Sequence, residues 1–238
     1  MNPFCSAKLT AAYFRTTMPK RNLYVAILLL CITRDLNSQN ADIKLLRQLN
    51  VNRNKHLDTY FTICSNSIIP VSIGVPLSLY LYGLHKKDSL FRSKAIVAGG
   101  SLAVASVITF ALKYSIGRPR PFVTYPDIQK LSDGGSQSVP SGHSSNAFSI
   151  ATSFSIEWPR WYVAVPAYTW AASVAYSRMH LGVHYPSDVL CGAAMGAGSA
   201  WLCHWANKKW KTKRIGNIIR KKVLLGALQS RAVSTKSQ

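Results

Sequence analysis

The sequence predicts an all-α fold, a polytopic membrane helical bundle with about five or six apolar helices. Hydrophobic residues make up 48% of the 238-residue chain, and charged residues only 16%. Soluble domains carry roughly 25% charged residues, so this chain is poor in charge. The apolar residues are also collected into runs separated by polar or basic stretches, which is typical of membrane proteins.

The N-terminal region is basic and then briefly apolar. Residues 1–22 are polar and basic, and the apolar run at 23–32 is shorter than the roughly 20 residues that cross a bilayer. A basic flank before a short apolar core is typical of a cleaved secretory signal; a short first membrane helix or a membrane-surface anchor has the same pattern. We therefore expect residues 1–40 to form a basic segment with a signal or anchor, and residues 41–57 a polar linker.

The rest of the chain is predicted to form a membrane-embedded domain at 58–206 and a basic cytoplasmic tail at 207–238. The helices expected within the domain lie at 58–84, 95–117, 141–158, 161–179 and 188–206. In the last of them Gly192 and Gly196 are four residues apart, a spacing that lets membrane helices approach closely. That approach serves either packing within the chain or a dimer face, and the sequence leaves the oligomeric state open.

The distribution of charge predicts an orientation. The net charge is +21, and 19 of the 29 Lys and Arg residues fall at 1–22, at 85–94, at Arg160 and in the tail. Positive residues stay on the cytoplasmic side, so this topology places the opposite helix ends of a multi-pass membrane protein on the non-cytoplasmic side. Because the basic residues are divided by membrane side, we expect no nucleic-acid partner.

Three polar clusters lie at the ends of apolar stretches that this topology places on the non-cytoplasmic side. Their members are Lys113 followed after six residues by Arg120 and Pro121; Pro140, Ser141, Gly142 and His143; and Ser177, Arg178, His184 and Asp188. Fixed cations and backbone N–H groups are what stabilise a transferring phosphoryl group. Interfacial snorkelling explains each cation singly, but the clusters together favour one phosphate site.

The histidines supply the chemistry of the predicted site. Gly142 lets the backbone approach an anion at a helix N-terminus, and His143 would protonate the leaving oxygen. Asp188 can orient the His184 ring and leave its other nitrogen free as a nucleophile. His180 and His184 are four residues apart, a spacing compatible with a metal, but the surrounding cations would repel one. We expect no metal and no cofactor.

The three clusters resemble the signature of the type-2 phosphatidate phosphatase superfamily, which includes lipid phosphate phosphatases and haloperoxidases. Lys-x6-Arg-Pro, Pro-Ser-Gly-His and Ser-Arg-x5-His-x3-Asp agree at all eleven specified positions between residues 113 and 188. The resemblance implies that His184 forms a phosphohistidine, that Asp188 orients it, and that His143 protonates the leaving group. It also implies that hydrolysis needs no metal; the haloperoxidase members, which hold vanadate in the same pocket, are the exception. The phosphate would be held by Lys113, Arg120, Ser141, Gly142 and Arg178.

The expected substrate is a lipid phosphate or diphosphate ester presented by the bilayer, because the clusters lie at headgroup depth. Two alternatives remain open from the sequence. One is a broad-specificity acid phosphatase acting on small phosphate esters, and the other is a non-catalytic membrane scaffold that binds anionic lipid through the basic tail. The loop at 118–140 is the expected selector of the headgroup.

Overall fold

A computed structural model describes residues 37–135 and 137–234, with side chains described at 41–135 and 137–213. Contacts divide the chain into two units, Met1–Lys44 and Leu45–Gln238, and the account below concerns the second. The expected signal or anchor and the apolar run at 23–32 lie outside the described residues.

The described residues are helical and contain no strand, in agreement with the all-α prediction. The helices are α1 (Asn37–Asn50), α2 (Asp58–Asn66), α3 (Ile68–His85), α4 (Ser89–Ile116), α5 (Pro121–Thr124), α6 (Gly142–Glu157), α7 (Trp161–His180) and α8 (Pro186–Ser234). Each apolar segment expected from residue 58 onward overlaps a helix. Helix α1 overlaps the expected polar linker, and a 3₁₀ turn at Lys55–Leu57 leads into α2.

Several helix ends differ from the sequence prediction for local reasons. Helix α4 begins at Ser89 rather than near 95 because Asp88 caps it, its carboxylate accepting a hydrogen bond from Leu90 N at 2.7 Å. The segment at 58–84 is divided at Ser67 into α2 and α3. Helix α8 continues beyond 206 to Ser234, because the Lys, Arg and Leu residues of the tail are good helix formers.

Helix α6 lies at the centre of the bundle and packs against α4, α7 and α8. Its small residues Ala147 and Ala151 are fully buried. A Cβ added to Gly196 of α8 would overlap the carbonyl oxygen of Ser145, and one added to Gly192 would overlap that of Ser141. These glycines therefore bring α8 onto the backbone of α6, so their spacing serves packing within the chain rather than a dimer face.

The outer faces of α3 and α4 are apolar. Ile69 is 69% exposed and Val107 68% exposed. Among the described residues, the stretches Lys55–His85 and Ser89–Thr124 are long and apolar enough to cross a bilayer. The further spans expected from the sequence stay predictions.

Candidate active site

Every predicted site residue lies at or just beyond the end of a helix. Lys113 is on the last turn of α4, and Arg120 is the N-cap of α5. Ser141 is the N-cap of α6, which begins with Gly142 and His143. Arg178 is on the last turn of α7, His184 is in the α7–α8 loop, and Asp188 is on the first turn of α8. The antiparallel course of the helices brings these ends to one region.

The clusters converge on the two imidazoles. His143 interacts electrostatically with His184 and with three cations, Arg178, Arg120 and Lys113. The Nη1 atom of Arg120 lies 3.4 Å from Nε2 of His184 and donates to the carbonyl of Val183 at 2.9 Å. Residues separated by up to 71 positions in the sequence therefore share one site, as the motifs predict.

The His184 ring is buried and held between an arginine and an aspartate. Its Nδ1 lies 3.6 Å from Oδ2 of Asp188, an ion-pair separation slightly longer than a hydrogen bond. Arginine has donors only, so Arg120 beside Nε2 favours the tautomer with a lone pair on Nε2 and hydrogen on Nδ1. That hydrogen faces the carboxylate. The arrangement leaves a lone pair on Nε2.

Burial lowers the pKa of His184 to about 4, against the opposing effect of Asp188, and the charge of Arg120 adds to the lowering. A histidine of ordinary pKa would be partly protonated near neutral pH. This ring is neutral there, which keeps its electron pair available.

Asp188 is fully buried and its two oxygens have separate partners. Oδ2 accepts a hydrogen bond from the Tyr185 backbone N–H at 3.1 Å and another from the Ser138 hydroxyl. Oδ1 accepts one from Nη1 of Arg118 at 2.8 Å. The same Arg118 nitrogen donates to Ser187 Oγ at 2.8 Å. The carboxylate that faces His184 is thus fixed from both sides.

Sequence reasoning missed Arg118 and Ser138. Arg118 was counted only as one of the six residues between Lys113 and Arg120, although a second arginine two positions before a site arginine is a visible signal. The guanidinium of Arg118 also lies over the ring of Tyr185, 3.8 Å from its centroid. No local pattern marks Ser138, whose role depends on how the loop folds.

The loop at 118–140 is held by two of the predicted phosphate-binding cations. Lys113 Nζ donates to the carbonyl of Gln137. Arg178 donates through Nη1 to Ser132 Oγ at 3.2 Å and through Nη2 to the carbonyl of Asp133 at 3.2 Å. These acceptors are neutral oxygens of the loop.

Glycines allow this loop to lie close to the site. A Cβ at Gly134 would lie 2.8 Å from Cε1 of Phe122 and 3.2 Å from Cδ of Arg120, whereas one at Gly135 would have nothing within 4 Å. Gly182 has φ +72, and a Cβ there would overlap the carbonyl oxygen of Gln129. Its left-handed conformation turns the chain between Arg178 and His184.

Ser141 joins the start of α6 to α8. Its side chain accepts from Ser144 N at 3.5 Å, as the predicted cap should, and its backbone N–H donates to the carbonyl of Asp188 at 3.0 Å. The first-turn N–H groups of a helix have no acceptor inside the helix. In α6 the N–H of Ser144 is taken by Ser141 Oγ, which leaves those of Gly142 and His143 as the candidate donors.

His180, which the metal alternative pairs with His184, has its side-chain partners on α2. Its Nε2 lies 2.7 Å from Oδ1 of Asp58, and its ring packs against Phe61 with centroids 4.5 Å apart. Asp58 also binds Arg53, at 2.9 Å from Nε. Among the side chains described at 41–135 and 137–213, no group of three or more metal-ligating side chains lies together.

Several curated relatives are phosphatases of lipids by name. A lipid A 1-phosphatase of Porphyromonas gingivalis is 33% identical over 138 residues, covering 57% of this chain and 28% of the relative. A lipid A 4'-phosphatase of Bacteroides thetaiotaomicron is 31% identical over 121 residues, covering 45% and 54%. A putative undecaprenyl-diphosphatase of Escherichia coli, YbjG, is 31% identical over 132 residues, covering 56% and 64%. The chain thus spans less than two thirds of each relative's length.

Two solved structures share the fold. A transmembrane PAP2-type phosphatidylglycerolphosphate phosphatase from Bacillus subtilis superposes with a TM-score of 0.62 at 25% identity, covering 79% of this chain and 95% of that one. LpxE of Aquifex aeolicus gives a TM-score of 0.59 at 24% identity, covering 72% and 97%. Residues 94–212, half of the chain, match the profile of the PAP2 superfamily. The chain belongs to that superfamily.

Proposed function

We propose that this protein is a membrane phosphatase that hydrolyses a lipid phosphate or diphosphate ester through a phosphohistidine, without a metal. The observation that carries the proposal is the setting of His184, whose Nε2 lies 3.4 Å from Arg120 and whose Nδ1 faces the buried Asp188. A neutral imidazole with one nitrogen oriented by a carboxylate is an activated nucleophile.

The phosphate would be held by the groups that surround the two histidines. Lys113, Arg120 and Arg178 supply positive charge, and the N-terminus of α6 at Ser141 and Gly142 supplies backbone N–H donors and the positive end of a helix dipole. Charge on the equatorial oxygens grows or spreads during transfer, and fixed donors stabilise it without reorganisation.

The reaction proceeds in two displacements. Nε2 of His184 attacks phosphorus, and the new P–N bond forms as the P–O bond to the leaving group breaks. His143, which carries an extra proton while the anionic phosphate is bound, gives that proton to the departing oxygen. A water molecule then loses a proton to His143 and attacks phosphorus from the side opposite the P–N bond. That bond breaks, inorganic phosphate leaves, and both histidines return to their starting states. Asp188 stabilises the positive charge that His184 develops.

The lipid nature of the substrate is supported by the position of the site. It lies at one end of α4, whose outer face is apolar, so a substrate tail in the bilayer would present its phosphate there. The names of the relatives agree with a lipid ester. Isoprenyl diphosphate, phosphatidylglycerol phosphate, phosphatidate and lipid A phosphate all fit this class, and the loop at 118–140 would select among them.

The orientation of the site follows from the basic residues. Nineteen of the 29 Lys and Arg residues fall at 85–94, at Arg160 or in the two terminal segments, 1–22 and 207–238. We assign all of them to the side of the membrane opposite the site. On the positive-inside rule, that side is cytoplasmic. The protein would then be a multi-pass membrane protein with residues 58–206 as its phosphatase domain and the site facing the periplasmic side.

Trapping the intermediate tests the mechanism. Purified full-length protein is mixed with ³²P-labelled lipid phosphate and quenched in alkali, in which phosphohistidine is stable. Acid then releases the labelled phosphate from the histidine. We expect acid-labile label on the wild type, none on His184→Ala, and a loss of turnover of roughly a thousandfold or more in that variant. His85→Ala, an exposed histidine outside the site, is the matched control.

Two further arms separate the rival functions. Faster turnover of a water-soluble ester than of long-chain lipid phosphates would favour the acid phosphatase, and full activity in His184→Ala would exclude the proposed mechanism.

A chelator should leave turnover unchanged, because the cations of the protein neutralise the phosphate. Loss of turnover on chelation that a divalent metal restores would contradict the metal-free reaction.

A further inference from the structure

A second concave site lies far from the histidines. It is a cavity of about 490 Å³ between α3, α4 and α8. Its lining includes two cations, a serine hydroxyl, two aromatic rings and an aliphatic side chain: Arg92, Lys211, Ser93, Tyr80, Trp210 and Ile96.

The cavity lies at the opposite ends of the helices that carry the site. Ser93 precedes Lys113 by 20 residues on α4, and Trp210 follows Asp188 by 22 residues on α8. At 1.5 Å per residue each separation is about 30 Å, the thickness of the hydrocarbon core of a bilayer. If the site is at one headgroup layer, the cavity is therefore at the other.

Two lysines near the cavity, Lys94 and Lys209, have partners within the protein, unlike the two cations that line it. Lys94 is engaged by the carbonyl of Glu157 at 2.6 Å and by the ring of Trp158 at 4.1 Å, and Lys209 lies 4.2 Å from the centroid of Trp205. These lysines are occupied within the protein.

Arg92 and Lys211, in contrast, have no ion-pair partner among the side chains described at 41–135 and 137–213. The nearest acidic side chains at this end are otherwise engaged. Asp88 caps α4, and Glu157 Oε1 lies 3.1 Å from Nδ1 of His204. The cavity thus presents uncompensated positive charge at headgroup depth.

An apolar stripe leads from the cavity toward the middle of the bilayer. Ile96 is 62% exposed, and Ala103, Val107 and Phe110 follow it at intervals of seven, four and three residues, which places them on one face of α4. Trp210, which is 75% exposed, lies at the cavity's end of the helices, where the membrane–water interface would favour an amphipathic ring.

We propose that this cavity binds an anionic phospholipid of the leaflet opposite the active site. Its phosphate would lie between Arg92 and Lys211, with Ser93 as a hydrogen-bond donor, and one acyl chain would follow the stripe from Ile96. Basic pockets between membrane helices bind anionic headgroups in this way. The proposal depends on the chain spanning the membrane, and not on the reaction at His184.

Lipid retention measured by native mass spectrometry tests the site. The full-length protein is placed in nanodiscs of equimolar phosphatidylcholine and phosphatidylglycerol, then released, and the lipids that stay bound are counted. We expect preferential retention of phosphatidylglycerol. Each cation near an anionic headgroup contributes about fivefold, so Arg92→Gln with Lys211→Gln should lower that retention about 25-fold and leave phosphatidylcholine unchanged.

The matched control removes the same charge at the same end but outside the cavity, as Lys86→Gln with Lys87→Gln. An equal fall in the control would show diffuse attraction to the membrane and overturn the site, as would equal retention of both lipids by the wild type. Lys211→Gln alone, a change at an exposed side chain, carries the test at about fivefold if the double variant fails to fold. His184→Ala should keep the selectivity, so failure of catalysis and failure of this site are distinguishable.

Discussion

Replacing Arg118 tests whether Asp188 must be held in place for His184 to react. Nη1 of Arg118 donates to Oδ1 of Asp188 at 2.8 Å, and the carboxylate is fully buried while the Arg118 side chain is 23% exposed. Arg118→Ala leaves the carboxylate with Tyr185 N and Ser138 Oγ on its other oxygen. Oδ1 then loses its charged donor, and Asp188 can turn about the two hydrogen bonds that remain on Oδ2, the oxygen that faces His184.

The expected loss follows from the bond removed. A hydrogen bond to a charged group contributes about 1.5–3 kcal/mol, and breaking a fully buried ion pair costs more, about 3–5 kcal/mol. Because water can enter the space left by the partly exposed Arg118, we take the lower range, which corresponds to a fall in kcat of roughly 10- to 100-fold. Arg118→Lys keeps the charge but not the fork, and should be intermediate.

The assay is steady-state turnover of a lipid phosphate together with the rate of phosphohistidine formation in a single turnover. Arg118 acts through Asp188, so kcat and the phosphorylation rate should fall while KM stays nearly constant. Arg47→Ala is the control: it removes an exposed ion pair with Asp127 at 2.7 Å and should not change kcat. A rise in KM alone, or no change, would refute the positioning role.

Three further outcomes are expected. Since burial lowers the pKa of His184 to about 4, its NMR titration should show a neutral ring at pH 5, with protonation only as pH falls through about 4; a midpoint near 6.5 would contradict the buried setting. Gly134→Ala should raise KM about tenfold by displacing the adjacent arginine, whereas Gly135→Ala, with open space around it, should not. Gly196→Ala should lower stability in detergent by about 1–3 kcal/mol through overpacking against α6. Gly198→Ala meets nothing within 4 Å and should be neutral or stabilising, so equal melting temperatures of the two variants would refute the close helix contact.

Local signals in the sequence were enough to place most of the site. Pro186 begins α8, so Asp188 on its first turn and His184 just before it follow from helix rules. Ser141 caps α6 as its residue type predicts. These positions are decided within a few residues of the chain, and the order of apolar runs then decides which helix ends meet.

The contacts between distant segments could not be read in the same way. The pairing of Arg118 with Asp188 joins residues 70 positions apart, and that of Arg178 with Asp133 joins residues 45 apart. Both depend on the path of the loop at 118–140. Helix α1 was expected to be linker because it is polar, yet Asn50 at its end anchors it by donating to the carbonyls of Gln129 at 3.0 Å and His180 at 2.9 Å. Side-chain hydrogen bonds of this kind leave no periodic signal.

The loop contacts also bear on how a phosphatase with this site would recognise a headgroup. Lys113 and Arg178 donate to Gln137, Ser132 and Asp133 through neutral oxygens, and hydrogen bonds to an ionised phosphate are about twice as strong as those to neutral acceptors. A bound phosphate would therefore compete with the loop for these two cations. To the extent that it displaces the loop, the free energy of binding would depend on where the displaced loop can rest against the rest of the substrate. Phosphate affinity and headgroup choice would thus be coupled through the same two cations, and substitutions in the loop should change both together.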